Sequence, residues 1–405
     1  MIPPDDPVAA QYEAYPYPER DPADEGRRLI TGSPSHPLEI DHFVFAGRRD
    51  WSQPFRALVA GGGTGDALIQ MAAVLAAAGR PCEITYLDPS RAARKVAEAR
   101  AAARGLAGIT FLTGSLLEAP GLGRFDYIDC CGVLHHLPDP QAGLAALAGA
   151  LAPGGGIGLM VYAPYGRSGV YPLQEAFAAL GAGLDPPARL AMARKVMARV
   201  PEGHPFRRNP HLSDHQQGDA GFYDLLLHGR DRPFRIAEVL AMLDAAGLAF
   251  AGSPQGWLYD LSEVLPAGVA VPEGLDTPAR MDLAEKLRGT IRTHIVYALA
   301  PGRAPARPGG PQAVAHLRGV APAALGRAVA AKGEIRLTQA GVARRIAVPK
   351  GAGRLLAMVD GRTPLAAIAA RAGLDPLAFA ALWNPAERAL TAAGLLVYSS
   401  LLLAR

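Results

Sequence analysis

The stretch Phe55-Arg56-Ala57-Leu58-Val59-Ala60-Gly61-Gly62-Gly63-Thr64-Gly65 decides the fold. Its first six residues read as a buried strand, and four of the next five are glycine. Residues 66–78 then place apolar side chains at helical spacing. Glycines after a strand let the backbone turn sharply and approach a ligand without Cβ contacts, and the following helix offers free N–H groups at its start. A dinucleotide fold spaces its glycines Gly-x-Gly-x-x-Gly. Here Gly61, Gly63 and Gly65 give Gly-x-Gly-x-Gly, and no Lys-Ser/Thr pair follows, which excludes a Walker phosphate loop.

Strand-like and helical stretches alternate outward from this point. Residues 83–87 read as a second strand ending at Asp88, residues 91–104 as a helix, and residues 109–113 as a third strand. Residues 127–131 form a fourth strand, residues 140–151 a helix stopped by Pro153-Gly154-Gly155-Gly156, and residues 157–162 a fifth strand. Such alternation predicts a doubly wound α/β sheet whose ligands bind at the carboxyl ends of the strands. A carboxylate at the end of the second strand accepts the hydroxyls of a ribose, and Asp88 stands there. Residues 248–252 and 293–299 are read as an antiparallel hairpin that completes seven strands.

The ordered set resembles the class I S-adenosylmethionine (SAM)-dependent methyltransferases. Its carriers are the loop Ala60 to Gly65, the acid Asp88, the segment Gly114-Ser115-Leu116, the strand Phe125 to Cys131, the run Gly132-Val133-Leu134-His135-His136-Leu137, and the turn Leu151-Ala152-Pro153-Gly154-Gly155. That last-but-one run is similar to the fourth-strand signature of small-molecule methyltransferases of the quinone-biosynthesis type. The resemblance implies a Rossmann-like sheet and SAM as cofactor. It places Gly61, Gly62, Gly63, Thr64 and Gly65 against the methionine part, Asp88 on the ribose, Ser115 and Leu116 on the adenine, and Cys131 and Gly132 beside them. Two positions depart from the family pattern. Val59 stands where an acid usually precedes the loop by two residues, and Ser115 where Asp is frequent. Asp66 is read as a partial replacement for the first of these.

Methyl transfer from a sulfonium is an in-line displacement that needs alignment more than acid–base help. His135 and His136 follow the fourth strand. They are read either as a general base or as packed, hydrogen-bonded side chains. The Asn-Pro-Pro-Tyr signature of amino-group methylation is absent, and Cys131 lacks the Pro-Cys context of a covalent thiol, so Cys130 and Cys131 read as small buried residues. Residues 1–50, rich in Tyr and Pro, are expected to form an arm or lid that brings Tyr12 and Tyr15 over the acceptor site. A helical insertion over residues 164–235 is expected to line it, with Arg167, His211 and Tyr223 as acceptor contacts. His211, Asp214 and His215 fall in a Pro-broken stretch, and no metal site is expected there.

The chain has 405 residues and a net charge of +4, but residues 301–405 carry +10 and the remainder −6. A Pro/Gly/Arg linker over 301–312 introduces a small basic region, 313–405, whose three short helices and closing strand resemble a winged-helix module. Such a module suits RNA, DNA, an acidic protein segment or a second copy of the chain. Three cysteines in a chain this long argue against a disulfide framework and fit a reducing cytoplasm. No secretory leader is expected from the N-terminal residues, and the longest apolar runs fall short of the ~20 residues that span a bilayer. The leading expectation is transfer of a methyl group to an O, N or C nucleophile on a small molecule. The alternatives are an RNA or protein methyltransferase docking substrate through residues 313–405, and a SAM-binding regulator without catalysis.

Overall fold

The computed structural model describes residues 7–339 and 341–403. An N-terminal arm carries α1 (Pro7–Ala14) and α2 (Pro37–Phe45). The core follows as β1 (Phe55–Ala60), α3 (Asp66–Ala77), β2 (Cys82–Asp88), α4 (Arg91–Ala103), β3 (Ile109–Thr113), β4 (Phe125–Cys131), α5 (Pro140–Gly149) and β5 (Leu151–Tyr162). An insertion of α6 (Val170–Leu180), α7 (Pro186–Met197), the short α8 (Pro205–Arg208) and α9 (Asp219–Leu226) precedes α10 (Ile236–Ala245), β6 (Ala249–Gly252), α11 (Thr277–Arg288) and β7 (Thr293–Leu299). The seven strands lie in the order β3-β2-β1-β4-β5-β7-β6, with β7 antiparallel to both neighbours. This is the Rossmann-like sheet of the class I methyltransferases, as expected. The strand order reverses between β1 and β4, which run parallel, and there an open α/β sheet forms its ligand crevice.

Local chemistry accounts for the boundaries. Ser90 and Asp139 cap α4 and α5 by accepting the Ala93 and Ala142 N–H groups. Gly65, at φ 101°, starts α3 in a left-handed conformation. One boundary differs from expectation. Pro153-Gly154-Gly155-Gly156 does not stop a helix but lies inside β5, opposite a register shift in β4 between Phe125 and Tyr127. The glycines are needed there for close packing. A Cβ on Gly155 would stand 2.8 Å from the Phe125 carbonyl oxygen, and one on Gly156 2.7 Å from that of Ala298.

The C-terminal region contains β8 (Ala315–Leu317), α12 (Pro322–Lys332), the hairpin β9 (Glu334–Gln339) and β10 (Val342–Ala347), then α13 (Ala352–Leu356), α14 (Leu365–Arg371), α15 (Pro376–Ala392) and β11 (Leu396–Tyr398). The three expected helices and the closing strand are present, and the hairpin precedes them. The region has its own core around Leu355, Ile368, Trp383 and Leu390. It docks on α2, where buried Asp41 accepts from the Ser399 hydroxyl at 2.7 Å and His42 Nδ1 from the Tyr398 N–H at 3.0 Å. Some of its basic charge is used in this docking. Arg318 pairs with Glu39, and buried Arg344 pairs with Glu263 at 2.7 Å and lies over the Trp257 ring. Among the described residues no single helix is long and apolar enough to cross a membrane.

Candidate cofactor and acceptor site

A cavity of about 480 Å³ opens at the carboxyl ends of β1, β2 and β4, within the size range of small-molecule sites. Gly61, Gly62, Gly63, Asp88, Ser115, Leu116, Cys131, Gly132, His136 and Tyr12 all line it. Tyr17, Ser35, Gln70, Asp129, Met160, Tyr162, Asp224 and Arg230 line it too. A wider depression of about 970 Å³ between core and C-terminal region, lined by Phe43, Phe250, Tyr259 and Thr391, gathers no comparable group of buried ionisable side chains.

At the nucleoside end the glycine loop is held by Asp88. Its carboxylate accepts the Gly63 N–H at 2.8 Å and the Ser90 N–H at 2.9 Å. A carboxylate offers about four lone pairs, so acceptor capacity remains toward the cavity. Burial pushes the Asp88 carboxyl up to about 6, against the two backbone hydrogen bonds. Gly61 and Gly63 take positive φ. Gly62 does not, and its constraint is steric: a Cβ there would stand 2.3 Å from the ring of Tyr86, whose hydroxyl donates to Gly63 O at 2.6 Å. Gly62→Ala is therefore expected to displace the Tyr86 ring, lower stability by about 1–3 kcal/mol and weaken SAM binding. Thermal melts and calorimetry on that variant check both effects.

Two expected contacts stand behind the cavity surface. The Thr64 hydroxyl donates to Pro18 O at 2.7 Å, and Gly65 begins α3. Asp66, read as a partial replacement for the acid missing at Val59, lines the cavity but is already engaged. It receives Arg20 at 2.7 Å and Arg100 at 2.7 Å, which fastens the arm to α3 and α4. Burial raises its carboxyl, but the guanidinium hydrogen bonds and charges outweigh that and hold it below its ordinary value.

The other end of the cavity is a buried polar cluster roofed by the arm and α9. The Arg230 N–H donates to His228 Nδ1 at 3.0 Å, so neutral His228 carries its proton on Nε2 and donates to Tyr12 Oη at 3.2 Å. Tyr12 in turn donates to Asp224 Oδ1 at 3.0 Å. His136 Nδ1 lies 2.8 Å from Arg230 O, which only accepts, so Nδ1 is protonated and Nε2 is a bare acceptor. Burial lowers His136 to about 4 and pushes Asp224 up to about 7, the latter against the Tyr12 hydrogen bond. A proton-bearing nucleophile in this space meets two acceptors, His136 Nε2 and the Asp224 carboxylate. The same three side chains, His136, Asp224 and His228, also bring one ligand atom each within 4.8 Å of one another. The Tyr12 hydroxyl already bridges two of these groups.

His135, read as a base or a packed side chain, does not reach the cavity. It is fully buried against Tyr162, off the cavity wall, because Leu134–His136 is a 3-10 turn that rotates successive side chains by about 120°. Arg167 also sits behind the wall. It is ion-paired to buried Asp231 at 3.0 Å, bonded to the Tyr171 hydroxyl and stacked 3.6 Å over Tyr162. Arg167→Lys keeps the charge but loses the fork and the stacking, and a stability loss of about 1–2 kcal/mol is expected from denaturant melts. Tyr15 and Tyr223 stack on each other at 5.0 Å, away from the cavity, and His211 packs against Gly341 of the β9–β10 hairpin. Cys131 lines the cavity, but burial raises its thiol far above the ordinary value, so it stays protonated.

Comparison with known proteins agrees with this geometry. Residues 58–157 match the family model described as a methyltransferase domain. An uncharacterized protein of Synechococcus sp. is 34% identical over 251 residues, which cover 60% of this chain and 59% of that relative. The structure of PKMT2 from Rickettsia typhi superposes with a TM-score of 0.56 at 13% identity, covering 72% of this chain and 58% of that one. The same protein in complex with AdoHcy superposes at 0.63 with 12% identity, covering 92% and 77%. At such identities these structures speak to the fold, and the chain spans only about three fifths of the curated relative. Residues 58–157 are thus similar to a methyltransferase domain, and the strand order and glycine loop give the core of this chain the Rossmann-like fold of the class I methyltransferases.

Proposed function

We propose that this protein transfers a methyl group from SAM to a nucleophile on a small molecule. One observation carries the reading: a single cavity joins the Asp88–glycine-loop end to the buried His136–Asp224–Tyr12 cluster. SAM supplies an electrophilic methyl on a sulfonium, and the sulfur leaves with the bonding electron pair. The chain's own residues then have three tasks. Asp88, Ser115 and Leu116 hold the nucleoside. The arm and α9 close the acceptor end and exclude water, which strengthens each polar contact inside. His136 Nε2 and the Asp224 carboxylate both line the space the nucleophile enters, and the proton it loses as the new bond to the methyl carbon forms passes to Asp224.

Asp224 is favoured over His136 as proton acceptor because a general base works best with a pKa near the operating pH. Asp224 is pushed up to about 7, while His136 is lowered to about 4. A small acceptor is favoured because the polar cluster lies under α1 and α9, where a bulky macromolecule enters only as one extruded group. The test is incubation with methyl-labelled SAM and a size-fractionated extract. Label in the small-molecule fraction is expected. Label confined to protein or RNA overturns the acceptor class, and SAM binding with no label in any fraction overturns methyl transfer itself.

A further inference from the structure

The family's acid before the glycine loop is missing at Val59, and Asp66, the nearest replacement in sequence, is occupied by two arginines. The sheet offers another carboxylate beside that position. In the parallel β1–β4 ladder Val59 is paired with Asp129, and paired residues of adjacent strands project on the same face. Asp129 is 1% exposed, lines the cavity, and has one partner among the described residues, the Ser35 hydroxyl of the arm, at 2.8 Å from Oδ2. No guanidinium, ammonium or imidazole pairs with it among the described residues. Burial accordingly pushes its carboxyl up to about 7, with only the Ser35 hydrogen bond opposing.

A buried carboxylate without a cation is costly, and this one lines a ligand cavity. β4 lies two strands from β2, about 10 Å across the sheet. A ligand whose ribose hydroxyls sit on Asp88 therefore lays its amino-acid end at β4. We propose that Asp129 binds the α-ammonium of SAM and of S-adenosylhomocysteine, supplying from β4 the carboxylate that β1 lacks, with Ser35 of the arm orienting it. This rests on the SAM reading above.

The experiment is calorimetric titration of the full chain with S-adenosylhomocysteine and with 5′-methylthioadenosine, which lacks the amino-acid end. Asp129→Asn is expected to weaken S-adenosylhomocysteine at least tenfold and to leave 5′-methylthioadenosine within twofold, so the second ligand also reports that the site is folded. Wild-type affinity for S-adenosylhomocysteine should rise with pH through about 7, where the carboxylate ionises, and Asp129→Asn should flatten that rise. Equal losses for both ligands, or none, overturn the assignment. If Asp129→Asn does not fold, the swap Val59→Asp with Asp129→Val carries the test. Retained preference for S-adenosylhomocysteine over 5′-methylthioadenosine supports a carboxylate–ammonium contact on this face, and its loss overturns it. Failure of wild type to bind either ligand would instead sink the SAM reading.

Discussion

Asp88→Ala should weaken SAM binding at least a hundredfold while leaving the protein folded. The carboxylate does two things at once. It accepts the Gly63 N–H, which sets the conformation of the loop, and it lines the cavity, where under the proposed function its remaining lone pairs receive the ribose hydroxyls. Hydrogen bonds to a charged group contribute about 1.5–3 kcal/mol each. Losing two ribose contacts therefore removes about 3–6 kcal/mol, and every 1.4 kcal/mol is about tenfold in affinity. The fold should survive because Asp88 ends its strand and the sheet below it is held by the β1–β2 ladder from Phe55 to Ala60. Asp88→Asn discriminates between the two duties. It keeps one acceptor oxygen, enough for the Gly63 N–H but not also for the Ser90 N–H, and loses the charge, so its affinity should fall between wild type and Asp88→Ala. Isothermal titration with SAM measures both variants, and an Asp88→Ala protein that bound as tightly as wild type would remove the ribose assignment.

Much of the cofactor end was legible because its chemistry is local. Glycine spacing, a strand-terminal acid and a helix start occupy contiguous residues, and the strand Phe55–Ala60 has the expected bounds. The acceptor end was legible only in pieces. Tyr12 and His136 were singled out, but His135 and His136 differ only by a turn of backbone that a two-residue repeat does not reveal. Asp224 lies on α9, whose residues 220–226 are all buried. A helix buried all round has no polar face to give it a period. Asp129 lies inside β4, where the sequence does not tell which face of the strand meets the cavity. One missed element did carry a signal. Glu334-Ile335-Arg336-Leu337 alternates polar and apolar residues at strand period, yet the arginines drew attention as a basic patch instead of one edge of a hairpin.

Asp224→Asn should lower kcat by about 10²–10⁴-fold, the usual worth of a positioned general base, with SAM affinity unchanged. The side chain is nearly isosteric, so the Tyr12 hydroxyl keeps an oxygen to donate to and the arm stays closed. What is lost is the proton acceptor, together with the long hydrogen bond that Asp224 Oδ2 accepts from the Tyr162 hydroxyl at 3.4 Å. The pH dependence separates this residue from its neighbour. If Asp224 takes the proton, kcat/KM of wild type for the methyl acceptor, measured at saturating SAM so that Asp129 is not read, rises with pH and levels off above about 7, where burial has placed its carboxyl. If His136 takes it, the rise is complete by about pH 5, because burial lowers that imidazole to about 4. Stability runs the opposite way. A carboxyl raised above its unfolded value binds its proton more tightly when folded, so its contribution is full below about pH 4 and is lost as pH rises through about 7. At pH 8 the ionised Asp224 is therefore a burden on the fold that asparagine does not impose, and Asp224→Asn should melt no lower than wild type. Loss of turnover with retained or raised melting temperature is what a proton acceptor predicts. Loss of both together would mean that Asp224 serves only to hold Tyr12 and the arm in place.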